Sequence, residues 1–150
     1  MERNFHLVAL VACLVLCGSI NALAQDKINV SDIKGIWISV LLYNDLKGDF
    51  EKIPNKDVIS FGFTEGKGKL NNARHTGLYR LIDGGSPKIF YYSIENNKIL
   101  LYDSSDNPLP YFLVIESVIP KVSMTAILYH NEGSNTTSSK MEFLFHEKKN

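Results

Sequence analysis

Catalysis or metal binding would need acids, bases, nucleophiles or soft ligands at defined spacings, and this sequence supplies few of them. His75, His130 and His146 each stand alone, with no H-x-x-x-H or H-E-x-x-H spacing to bring two imidazoles around a metal. There is no G-x-S-x-G stretch to lift a serine on a nucleophile elbow. Gly66-Lys67-Gly68-Lys69 has the composition of a phosphate loop, but without Walker spacing or a following helix it reads as a hairpin turn. Asp45, Asp49 and Glu51 make a carboxylate-rich loop that lacks the regular ligand spacing of a calcium loop, and it reads as solvated. Both cysteines, Cys13 and Cys17, lie in the first two dozen residues, so the rest of the chain has no thiol for a disulfide, a metal site or a nucleophile. The expectation is a protein that is not an enzyme and needs no metal or cofactor.

What the chain does offer is aromatic surface in alternating runs. If Trp37 points inward, the period of two along a strand sends Ser39, Leu41 and Tyr43 inward with it. Phe61 and Phe63, then Tyr79, Tyr91 and Phe143, join them by hydrophobicity. Such a lining is apolar with a few phenol hydroxyls, the usual character of a small-ligand site, although the same residues would also fill a solid core. The opposite face of the Trp37 strand carries Ile36, Ile38, Val40 and Leu42. A barrel strand normally solvates one face, so this outer stripe needs a cover: a loop, a helical turn or a second subunit, which leaves room for a homodimer.

These candidates depend on the elements that carry them. Residues 1–24 read as a signal peptide: a short polar start, an apolar run from Phe5 to Ile20, and Ala22-Leu23-Ala24 as the cleavage site. That predicts export to the periplasm or beyond, with residues 25–150 as one domain and no transmembrane span. A second reading takes Leu10-Val11-Ala12-Cys13 as a lipobox, anchoring the protein through a lipid on Cys13. The formal net charge is zero, with no long basic block, which argues against nucleic acid as a partner.

After a helical turn near Val30-Ser31-Asp32-Ile33, the chain runs as strand after strand. The predicted strands are Gly35 to Tyr43, Val58 to Thr64, Lys69 to His75, Thr76 to Ile82, Lys88 to Ile94, Ile99 to Tyr102, Tyr111 to Ile119, Val122 to His130 and Met141 to His146. Gly, Asn, Asp and Pro clusters divide them. Residues 44–57 and Asn131 to Ser139 read as polar loops. No window of helical length shows a 3.6-residue period.

Gly35-x-Trp37 after a helical turn, Ile59-Ser60-Phe61 before a Gly-rich turn, Gly77-x-Tyr79 before Asp83-Gly84, and a closing Glu142-Phe143-Leu144-Phe145 strand occur in that order. In this arrangement the chain resembles the small secreted lipocalin-like domains of Gram-negative bacteria, within the calycin superfamily, over roughly residues 31 to 148. The resemblance implies an antiparallel up-and-down barrel of about eight or nine strands, with Trp37 at a closed end and a cavity at the other. A β-sandwich is the alternative. The functional expectation is a binding protein for a small hydrophobic molecule, with a structural or protein-interaction module as the alternative.

Overall fold

The computed structural model describes residues 27–54, 57–67, 74–81 and 86–147. The segment read as a signal peptide lies outside the described residues, as does most of the strand expected from Lys69. Helix α1 (Val30–Ile33) leads into nine strands: β1 (Gly35–Asn44), β2 (Asp49–Lys52), β3 (Ile59–Lys67), β4 (His75–Leu81), β5 (Lys88–Glu95), β6 (Lys98–Tyr102), β7 (Pro108–Ile119), β8 (Ser123–Glu132) and β9 (Asn135–His146). Each strand from β3 onward pairs antiparallel with the next, and β1 bonds to both β3 and β9. The sheet is therefore a closed eight-stranded up-and-down barrel with β2 as an extra strand beside β1. It is not a sandwich, because the pairing of β1 with β9 leaves a single sheet joined to itself.

Alternation packs the interior. Trp37, Phe63, Phe90, Tyr92, Phe143, Leu113 and Ile115 are all buried on the inner face. Gly35 precedes the Trp because its φ of 124° is open to glycine, and because a side chain there would run into the Phe145 ring. At this end α1 acts as a plug. Asp32 Oδ2 accepts the Asn29 N–H at 2.8 Å, and the backbone of Ile28 bonds to Asn96 O at 2.9 Å, tying the segment before α1 to the β5–β6 turn.

Three expectations are corrected. Residues 49–52, read as loop, form β2, whose register sets Phe50 opposite Tyr43. Asn131 to Ser139, read as a polar loop, is the tip of a tight hairpin in which Glu132 pairs with Asn135 around Gly133 (φ 61°). This tip stands clear of the core, so both faces are solvated and the apolar alternation that marks a strand is missing. Glu65 to Lys67, read as turn, extends β3, with a register shift between Phe63 and Lys67.

A fourth correction concerns β1 itself. Ser39 pairs with Phe143 and Leu41 with Glu142, so β1 spends one extra residue on this stretch of β9. A bulge of this kind reverses the phase of everything after it. Tyr43, expected inside, turns to the outer face, where it meets the Phe50 ring edge-on at 5.2 Å and Lys140 Nζ lies 5.5 Å from its centroid. Leu42 pairs across the bulge with Met141 of the core, yet at 37% exposed it stays open to solvent, as expected.

Candidate functional site

The barrel is solid at one end and hollow at the other. Its open end is built from the starts of β3 and β5, the end of β4 and the β6–β7 turn, and it holds a cavity of about 700 Å³. The floor is Phe61 and Leu101, both 4% exposed. Ile59, Tyr79, Leu109 and Leu128 form half-buried walls. Lys88, Ser104 and Tyr111 stand exposed at the rim, with Asp103 and Tyr91 beside them.

Phe61 divides the two halves. Its ring lies 6.0 Å from Phe63, 6.2 Å from Phe90 and 6.1 Å from Phe143 on the packed side, and 6.5 Å from Tyr79 on the cavity side. The aromatic cluster below makes the floor rigid, since Phe63 stacks on Phe61 while Phe90 and Phe143 meet it edge-on or tilted. Apolar ligand surface placed on this floor would leave water, which is the main driving force for uptake.

The rim has two charges with different freedom. Asp103 Oδ1 accepts the backbone N–H groups of Ser105 (2.8 Å) and Asn107 (2.9 Å), and Oδ2 accepts Asn107 Nδ2 at 3.2 Å. Led by the Asn107 backbone bond, these donors hold its carboxyl below the usual carboxylate range. This carboxylate is committed to its own turn. Lys88 Nζ lies 5.8 Å from the centroid of the Tyr79 ring and has no carboxylate partner among the described ion pairs. At the same end Tyr111 stacks on His130, with centroids 4.5 Å apart and planes at 14°.

Of the residues the sequence nominated for ligand contact, Phe61, Tyr79 and Tyr91 line the cavity. Trp37, Ser39, Phe63 and Phe143 sit in the packed half, and Tyr43 lies outside. Ser39 has its own task there: its Oγ accepts the Ile59 N–H at 2.9 Å, satisfying a backbone donor where β3 begins. Lys88 was legible but overlooked. The alternation that buries Phe90 and Tyr92 puts Lys88 on the same inward face, opposite Tyr79 in register. Tyr111 and Leu109 were hidden because the β6–β7 register jumps between Leu100 and Tyr102, where simple alternation gives no guide.

Elsewhere, Arg74 lies over the Tyr102 ring at 3.6 Å and bonds to Asp106 at 3.0 Å. Glu51 is taken by Asn44 and Lys47, which pull its carboxyl below the ordinary range. Among the described residues no group of three or more His, Cys, Asp or Glu is placed to hold a metal, and no helix is long and apolar enough to cross a membrane.

The outer stripe is only partly as expected. Ile36 and Ile38 remain on the outside and border a shallow groove with Gly62 and Leu78; Val40 is half-buried at the bulge, its carbonyl accepting the Ile53 N–H at 3.1 Å. Register aligns Ile36, Gly62, Leu78 and Ile89 across four strands, and Ile38 with Leu144. In comparisons with known proteins, no family model and no curated protein matches this chain.

Proposed function

We propose that this protein is an exported, non-enzymatic member of the lipocalin-like group that carries a small apolar or amphipathic molecule in the open end of its barrel. One observation carries this reading: a cavity of about 700 Å³ with an apolar floor and tyrosines around it. That volume falls within the ~300–1,000 Å³ range of ligand pockets, and the mix of apolar walls with a few polar groups is theirs too. Export rests on the apolar run from Phe5 to Ile20 and the Ala22-Leu23-Ala24 site after it. The test is ligand-dependent thermal stabilisation by medium-chain amphiphiles, abolished by Leu128→Arg, which places a charged side chain in the cavity wall while leaving the packed half intact.

A second reading is favoured by a separate observation. Leu78 and Leu144 are 46% and 45% exposed on the outer face, in line with Ile36 and Ile38. Such a row suits contact with another protein or a second copy of this chain, the more so at zero net charge. Concentration-dependent association that is lost in Leu78→Lys would support this reading. A monomer at all concentrations that captures no partner would remove it.

A further inference from the structure

Resting on the reading of the cavity as a ligand site, we propose that its ligand is an anionic amphiphile, with the head group held at the rim by Lys88 and the apolar tail laid against Phe61, Leu101 and Leu128. The argument is one of charge at the mouth. Among the described residues, two charged side chains line the cavity, Lys88 and Asp103. Asp103 gives its oxygens to three N–H donors of the turn from Ser105 to Asn107, so little of its acceptor capacity faces the cavity. Lys88 has no such commitment. The described ion pairs, Lys34–Glu65, Lys47–Glu51, Arg74–Asp106 and Lys140–Glu116, leave it out. Its ammonium lies over the face of Tyr79, a weak attraction that a carboxylate, sulfate or phosphate can displace.

Position strengthens the point. Lys88 pairs in register with Tyr79, and Tyr79 with Phe61, so cation, phenol and floor lie in one row running across β5, β4 and β3. The hydroxyls of Tyr79, Tyr91, Ser104 and Tyr111 are neutral donors on the same lining. Among the described residues a cationic head would find no uncommitted carboxylate there, whereas an anionic head meets a cation and hydroxyl donors.

The experiment is calorimetric titration of the protein with three probes of equal chain length, dodecanoate, dodecan-1-ol and dodecyltrimethylammonium, each below its aggregation concentration. Lys88 is exposed at the start of β5, so Lys88→Gln and Lys88→Glu are expected to fold, and their thermal melts check this. The expected result is dodecanoate binding about tenfold or more tighter than dodecan-1-ol. Lys88→Gln removes that preference without weakening dodecan-1-ol, and Lys88→Glu reverses it in favour of the ammonium probe. Equal affinity for dodecanoate and dodecan-1-ol, or a preference that survives Lys88→Gln, overturns the head-group assignment while leaving the cavity a binding site. Failure of all three probes to bind the folded protein overturns both.

Discussion

The indole Nε1–H of Trp37 donates to the carbonyl of Ile33 at 2.6 Å, and both side chains are fully buried. This bond joins the one α-helical turn among the described residues to the first strand of the barrel. It accounts for the spacing of Ile33, Gly35 and Trp37: the turn ends, glycine lets the chain bend, and the Trp folds back under the carbonyl that the turn leaves open. The Phe145 ring covers the indole edge-on at 5.4 Å.

Trp37→Phe removes the donor and part of the volume together, leaving the Ile33 carbonyl buried and unpaired. The expected cost is about 2–3 kcal/mol, read from urea unfolding at unchanged slope. A loss within about 0.5 kcal/mol would mean that the bond is not a structural seal.

Two glycines on neighbouring strands, Gly62 on β3 and Gly77 on β4, lie one residue out of register and should respond differently. A Cβ on Gly77 would overlap the Phe90 ring and crowd the Gly62 carbonyl, so Gly77→Ala should destabilise by about 1–3 kcal/mol through overpacking. A Cβ on Gly62 meets Leu78 and Ile36 at 3.7 Å or more, so Gly62→Ala should lie within about 0.5 kcal/mol of the parent. Equal effects in thermal or urea unfolding would contradict the packing described for the inner face.

These contrasts show where the sequence was informative. The barrel was legible because Trp37, Phe61, Phe63, Phe90 and Phe143 sit on alternating strands whose turns carry their own marks, such as Asn96 (φ 58°) and Asp106 (φ 64°). Tyr43 was misplaced because a bulge between Ser39 and Leu41 leaves no trace in the run from Ile36 to Leu42, which is apolar on both faces apart from Ser39. The candidate site was legible only in part. Hydrophobicity alone cannot separate Phe63, which packs solid, from Phe61, which packs on one side and is open on the other. Trp37, a natural choice for a fluorescent reporter, lies in the packed half, and its emission should stay unchanged when the cavity fills.

Asp103 gives the rim a defined response to acid. Hydrogen bonds from the Asn107 backbone, the Asn107 side chain and the Ser105 backbone favour its ionised form, so its folded pKa lies below the ordinary aspartate value of about 3.9. The stability it contributes to the β6–β7 turn is therefore fully present above the ordinary value and is lost as pH falls through the depressed one. A carbon-13 titration of the Asp103 carboxyl should show a midpoint below about 3.9, moving upward in Asn107→Ala. A midpoint at or above the ordinary value would mean that the turn is open in solution.

The most direct test of the account is a methyl NMR titration of the protein with dodecan-1-ol, an amphiphile whose uptake does not depend on the charge at Lys88. The account predicts saturable shifts at Leu101, Leu109 and Leu128, with Ile36 and Leu78 on the outer face unmoved. No shift at the cavity methyls, or shifts led by Ile36 and Leu78, would contradict it and place the functional surface on the outside of the barrel.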